Sequence, residues 1–302
     1  MNYQIKQRQK AAVVCNNLIK DPGQGLFSGK PRNFVLSDPS KNLWGGIRAD
    51  AIDYFKNNKI KWWKGKGDKP TGHLLSSQVA CVNHLYFLRQ RQDAATEILK
   101  AIEPSIISSE IVDTGFVEFE FIGEKQYLKE RAFSRGENCT SVDAAMMGKN
   151  NKSEKVLFLI EWKYTEQYPS TNLYKKERSK VYDDLIETID SPFVKTNPEA
   201  FYYEPFYQMM RQTLLGFLCA KYKDRGCVDF RHIHVIPIEN KKLLENITSP
   251  KFHVYGKTLS EVWEKVLKEP KKYKTVSPED FIQPADKCLD TKAVLEYLGI
   301  RY

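Results

Sequence analysis

Residues 155–164 of this chain read KVLFLIEWKY, and they constrain the fold more than any other stretch. Val156 to Ile160 form an unbroken apolar run of the length of a strand. Such a run fits a strand covered on both faces at the centre of a sheet. Side chains alternate along a strand, so Glu161 and Lys163 leave one face about 7 Å apart while Trp162 leaves the other. Charges at the end of a buried strand are costly unless they are paired or bound to metal. What meets Glu161 and Lys163 therefore decides what the chain can do.

The flanking sequence supplies a candidate. TSVDAAMMG reads as a second short strand, entered from the polar loop SRGENC, and Asp143 lies on it, 18 positions before Glu161. That spacing suffices for a strand, a turn and a return. Paired strands would bring two carboxylates and one ammonium together. Hard oxygen ligands of this kind suit Mg²⁺, which keeps several waters. Such a metal polarises phosphate and acidifies a bound water, and a nearby lysine can orient or deprotonate that water and stabilise phosphate charge. A strand that merely reaches solvent at EWK and pairs its own charges is the structural alternative.

Around these strands the element order is legible. Ser76 or Ser77 caps a long helix through about Ile102, with Val79, Val82, Leu85, Tyr86, Ile98 and Leu99 near helical spacing. TGFVEFEFIG reads as a strand, RHIHVIPI as the closing strand, and a helix runs from Pro205 to about Lys223. The order is helix, three strands, helix, strand. Short helices are expected over residues 4–19 and 49–58, and a mostly loop-like segment over residues 20–48. Towards the C-terminus, Thr258 and Glu261 form a capping box, Ser277-Pro278 starts a short helix, and Asp290 caps a last one ending near Gly299.

With 302 residues, 41% hydrophobic and 28% charged, the chain can build a sizeable core. Its net charge of +9 favours polyanion partners. The six cysteines show no C-x-x-C spacing, the first residues lack a secretory apolar core, and no stretch approaches a membrane span. A cytoplasmic chain with reduced thiols is expected. No G-x-x-x-x-G-K-[ST] motif is present, which argues against ATP-driven translocation within this chain.

SSQVACVNHLYFL, RGENCTSVDAAMMG, KVLFLIEWKYTEQY and EPFYQMMRQTLLGFLCAK, in this order, resemble a bacterial family of restriction endonucleases in the PD-(D/E)XK superfamily. The resemblance covers residues 73–238 and is most specific in TSVDA, EWKYTE and the EPFYQMMRQ helix. It implies an α/β restriction-endonuclease-like core, αβββαβ with a mixed central sheet flanked by helices. The N- and C-terminal extensions would be helical, dividing the chain into residues 1–72, 73–240 and 241–302. By resemblance, Asp143 and Glu161 are metal ligands and Lys163 the catalytic lysine. The superfamily signature has proline before the aspartate, where this chain has Val142. The implied activity is hydrolysis of DNA with Mg²⁺ in a restriction role, with replacement of Mg²⁺ by Mn²⁺ left open by the sequence. A nuclease of repair or recombination, or a non-catalytic nucleic-acid-binding protein on the same scaffold, are the alternatives. A homodimer would supply the two sites a duplex cut needs.

Other residues carry two readings each. Gln208, on the helix after the motif, orients the site or touches the DNA backbone, or else belongs to a solvent-facing stripe with Arg211, Gln212 and Leu215. Lys61, Trp62, Trp63 and Lys64 lie in the densest basic-aromatic segment and, with Arg211, are candidate DNA contacts. The first expectation for that segment is a solvated loop with both tryptophans anchored in the core. Glu97, Glu118 and Glu120 are expected as surface carboxylates, with a further metal ligand as the alternative. His232 and His234 share a strand face and are expected to be partly buried rather than zinc ligands. Thr140 and Ser141 are expected to serve the strand entry. His73 is expected in a loop, and Tyr164 and Glu166 flank the motif without an assigned role.

Overall fold

The apolar run of residues 156–160 does occupy the centre of a sheet. In the computed structural model, which describes residues 2–135 and 139–302, this strand pairs on both sides. Residues 136–138 of the anticipated SRGENC loop lie outside the described residues.

The strands are β1 (Gly25–Phe27), β2 (Lys30–Arg32), β3 (Ile106–Glu110), β4 (Glu118–Phe121), β5 (Val142–Asn150), β6 (Lys155–Trp162), β7 (Cys227–Val235) and β8 (Tyr273–Val276). The α-helices are α1 (Tyr3–Asn17), α2 (Arg48–Asn57), α3 (Ser77–Leu85), α4 (Gln92–Ile102), α5 (Lys176–Glu187), α6 (Phe206–Lys221), α7 (Lys241–Leu244), α8 (Leu259–Val266), α9 (Pro278–Ile282) and α10 (Lys292–Arg301). Strands β1 and β2 form a separate hairpin, and the main sheet runs β3-β5-β6-β7-β8 with β4 also paired to β5. Strand β6 is antiparallel to β5 and parallel to β7. This is the mixed sheet flanked by helices that the sequence implied.

Alternation along β6 divides the core in two. Val156, Phe158, Ile160 and Trp162 pack with residues of α1, α2, α3, α4 and α10. Leu157 and Leu159 pack with α5, α6 and α8. Glu161 and Lys163 continue the second series and therefore face α6. That helix lies close to the sheet because Gly216 has no side chain there. A Cβ at Gly216 would sit 2.5 Å from Phe230 Cδ2 and 2.8 Å from Leu159 Cδ1.

Four local expectations change. The long helix from Ser76 is broken: α3 ends at Leu85, a 3₁₀ turn covers Tyr86–Gln90, and α4 starts at Gln92. Ser76 does cap α3, accepting from Val79 N at 3.3 Å. The break lets the buried Arg89 reach the loop between β3 and β4, where it donates to Thr114 Oγ1 at 2.6 Å, to Asp113 and to the Val117 carbonyl. The strand expected in TGFVEFEFIG is β4, and an unanticipated strand, β3, pairs with the other half of β5. A fifth rung, β8, extends the sheet beyond the expected closing strand, parallel to β7. Finally, Thr291 rather than Asp290 precedes α10, which runs to Arg301 because that guanidinium is buried against Asn42 Oδ1 and the Leu74 carbonyl. The Thr258 cap forms as read, with Glu261 N donating to Thr258 Oγ1 at 3.3 Å. Among the described residues, no helix is long and apolar enough to cross a membrane.

Candidate active site

The β5–β6 ladder sets the geometry. Its last paired residues at this end are Ala144 and Ile160, so Asp143 and Glu161 are the next residues across. Residues directly opposite in an antiparallel pair have Cβ atoms about 5 Å apart on one face. Here the ladder gives way to a side chain: the Asp143 carboxylate accepts from Trp162 N at 2.8 Å. The two acids thus meet where the central strands end.

Glu161 is 3% exposed and Lys163 is 5% exposed. Lys163 Nζ donates to Glu161 Oε1 at 2.6 Å and to Gln208 Oε1 at 2.5 Å. Gln208 Nε2 returns a bond to Glu161 Oε1 at 2.8 Å. Gln208 therefore faces the site and not solvent. One turn later on α6, Gln212 Nε2 donates to Glu161 Oε2 at 2.5 Å and to the Ser141 carbonyl at 3.0 Å. With its amide donors so used, Gln212 Oε1 accepts from His232 Nε2 at 3.1 Å, which leaves His232 Nδ1 to accept from Thr213 Oγ1. Burial holds the His232 imidazole neutral, its pKa lowered to about 3. Glu161 is thus oriented by a chain of hydrogen bonds reaching back to β7. Partners of this kind typically matter 10–100-fold for a metal ligand, so Gln212→Leu should cost about that factor in cleavage rate. Unchanged single-turnover cleavage in Gln212→Leu would remove this chain from the site's function.

A third carboxylate joins the first two. Glu120 is 7% exposed, contrary to its expected place on the surface, and has a left-handed backbone (φ 50°). That conformation lets the neighbouring Phe119 and Phe121 enter opposite cores. Glu120 Oε1 accepts from Gln78 Nε2 at 2.7 Å and its Oε2 from Ser141 Oγ at 2.9 Å. Burial first, with the Glu161 charge among the further causes, raises its pKa to about 7. Burial and the charges of Glu161 and Glu120 push the Asp143 carboxyl well above the usual range. Burial alone would lower the Lys163 pKa, but Glu161 and its neighbours hold it well above the ordinary lysine value. Asp143 and Glu161 thus share the Lys163 ammonium, while the cation that bears on Glu120 is Arg135.

That surplus of negative oxygen suits a small hard cation. Among the described residues, no group of three or more His, Cys, Asp or Glu is arranged to hold a metal ion. Magnesium does not need one, because it commonly takes one or two carboxylates and completes its shell with water and substrate phosphate. Asp143 and Glu161 fit that requirement.

The remaining candidates fall outside this centre. Glu118 is buried between Arg135 and Arg225, which neutralise it. Glu97 pairs with Lys100 and Lys287 at the surface. His232 and His234 are fully buried, beyond the partial burial expected of them. Thr140 is held at the strand entry by Glu130, as its structural reading anticipated, whereas Ser141 bonds Glu120 inside the site. Arg211 lies over the Tyr207 ring at 4.6 Å and reaches Thr140 Oγ1 at 3.3 Å. Tyr164 N donates to Glu166 Oε2 at 2.6 Å, turning that carboxylate back on the chain.

The two tryptophans part company. Trp62 is buried and stacks on Phe55 with centroids 3.8 Å apart, whereas Trp63 is 65% exposed, against the expectation that both are anchored. Their segment is tied to the site through Gln78, whose Oε1 accepts from Trp63 N at 2.8 Å and whose Nε2 donates to the Lys61 carbonyl at 3.2 Å. Lys61 and Lys64 are exposed beside them. Gln78, Glu120 as a buried group, and Gln212 as an orienting one were not singled out from sequence. The one signal for Gln212 was its place one turn beyond Gln208.

No curated protein and no solved structure matches this chain. A family model described as "Restriction Endonuclease associating with ARP" matches residues 6–302, extensions included. With nearly its whole length matched and a restriction-endonuclease-like fold beneath it, the chain belongs to this restriction-endonuclease family.

Proposed function

We propose that the chain is a Mg²⁺-dependent endonuclease of the PD-(D/E)XK type that hydrolyses phosphodiester bonds of DNA in a restriction role. The observation that carries this reading is the meeting of Asp143 and Glu161 at the ends of two adjacent central strands, with Lys163 bonded to Glu161. Asp143 and Glu161 would hold the cation. When bound, it would supply polarisation of the phosphate and a water acidified toward hydroxide. Lys163, bonded to Glu161, would orient or deprotonate the attacking water and offer charge to the phosphate. Gln208 and Gln212 fix the Glu161 carboxylate, so little reorganisation is needed during the reaction. The family match and the basic net charge support DNA as the substrate.

Incubation of unmethylated plasmid and phage DNA with the protein tests the reading directly. Cutting is expected with Mg²⁺, and none with EDTA or with Asp143→Ala. Discrete fragments would mark sequence specificity. Equal cutting by Asp143→Ala, or cutting in EDTA, would overturn the assignment.

A further inference from the structure

A cavity of about 730 Å³ opens beside the candidate active site. Its size is that of a small-ligand pocket, about 300–1,000 Å³. One wall is Thr165, Glu166 and Gln167, which begin two residues after Lys163 in the chain. Another is Ser76 and Ser77 at the start of α3, immediately before Gln78. Arg8 of α1, the hairpin residues Leu26 and Phe27, Trp63, Lys64 and His73 close the rest.

The lining combines two chemistries. Phe27 and His73 pack with ring centroids 4.7 Å apart and planes tilted by 53°, and the exposed Trp63 stands at the rim. Arg8 lies over the Phe34 ring at 5.3 Å, and its Nε is buried with no hydrogen-bond partner among the described residues. Arg8 and Lys64 both bear electrostatically on His73. The first turn of α3 adds backbone N–H groups, which favour an anion. Glu166 is the carboxylate among the lining residues, and it accepts from Tyr164 N. Aromatic faces beside cations and a helix start match a base joined to a phosphate.

We propose that this cavity receives one nucleotide of the substrate strand whose base has left the stack. Its base lies against Trp63 and the Phe27–His73 pair, and its phosphate is held by Arg8, Lys64 and the start of α3. The proposal rests on DNA being the substrate, and it goes beyond a general DNA contact at Trp63 and Lys64. Gln78 gives the cavity a route to the chemistry. It binds Trp63 N on one side and Glu120 on the other, so an occupant that orders Trp63 also orders the carboxylate next to Asp143.

The test uses the full-length protein in EDTA, where no cutting interferes. Two duplexes are compared, one fully paired and one with a single unpaired 2-aminopurine nucleotide. Affinity for the second is expected to be about ten-fold higher, as stacking of one base on an aromatic residue would give. Trp63→Ala and Arg8→Gln should each erase that preference, so that the variant binds both duplexes alike. Trp63 is exposed, so its variant is expected to fold, and it decides the matter if Arg8→Gln does not. Equal affinity of the wild type for both duplexes, or a preference surviving in Trp63→Ala, would overturn the pocket. A preference for the unpaired nucleotide without any Mg²⁺-dependent cutting supports the pocket and overturns the nuclease reading. Cutting without that preference does the reverse.

Discussion

Asp143→Asn is expected to abolish Mg²⁺-dependent cutting while making the metal-free protein more stable. The loss of rate should reach about a thousand-fold, the upper range for removing one electrostatic contributor to a transition state. The gain follows from the neighbours. Asp143 is half-buried beside the buried Glu161 and Glu120, whose charges outweigh the Lys163 ammonium at its carboxyl. Asparagine keeps an oxygen for Trp162 N and removes one charge. The melting temperature in EDTA should therefore rise by about 2 °C or more. The gain should also depend on pH. Asp143 and Glu120 have folded pKa values raised above their ordinary ones, Glu120 to about 7. The folded chain thus binds their protons more tightly than the unfolded chain does. Stability from these groups is complete below their ordinary pKa values and is lost as pH rises through the folded ones. Wild-type protein in EDTA should weaken between about pH 4.5 and pH 7 from the Glu120 contribution, and Asp143→Asn should gain more at pH 8 than at pH 5. Added Mg²⁺ should reverse the trend, since it needs the ionised carboxylates. Thermal melts at the two pH values, each with EDTA and with Mg²⁺, measure all of this. A variant that cuts normally, or that melts lower than wild type in EDTA at pH 8, would contradict it.

These charges were partly visible in the sequence, and the reason is geometric. Val156 to Ile160 needed no partner to be recognised, because a strand buried on both faces has no polar positions. Alternation then placed Glu161 and Lys163 together, and a return strand of sufficient length brought in Asp143. Glu120 was hidden by a departure from that same rule. EFEF alternates, so regular pleating would send both glutamates to one face, but the left-handed backbone at Glu120 breaks the alternation. Gln78 contacts Glu120 across 42 residues and belongs to a helix of which the cap and the apolar spacing were legible. The helix break after Leu85 carries neither proline nor glycine. It is caused by the Arg89 contacts to a loop more than twenty residues further on, a tertiary effect that no local pattern encodes. Strand β8 reads YKTV, too short to separate from a loop. Trp62 and Trp63 are neighbours in one basic segment, yet only the first finds a ring, Phe55, to stack on.

Lys163 offers the sharpest separation of fold from chemistry. Its ammonium and the Glu161 carboxylate are both almost fully buried, 2.6 Å apart, and share Gln208. Removing one member of such a pair strands the other charge away from water. Lys163→Met should therefore lower stability by about 3–5 kcal/mol in EDTA. Glu161→Gln should also destabilise, because it leaves a buried ammonium. The double variant Glu161→Gln/Lys163→Met should recover most of the loss, since no charge is left without its partner, yet it should remain unable to cut. Lys163→Arg should not restore activity, because a planar guanidinium cannot replace a compact ammonium between Glu161 and Gln208. Denaturant unfolding of the four proteins gives the coupling directly as a double-mutant cycle. Additive losses of stability would mean that the two charges do not depend on one another in the fold. Cutting by the double variant would separate the pair from catalysis altogether. Recovery of stability without recovery of cutting is the result expected of a pair retained at a cost to the fold because the reaction requires it.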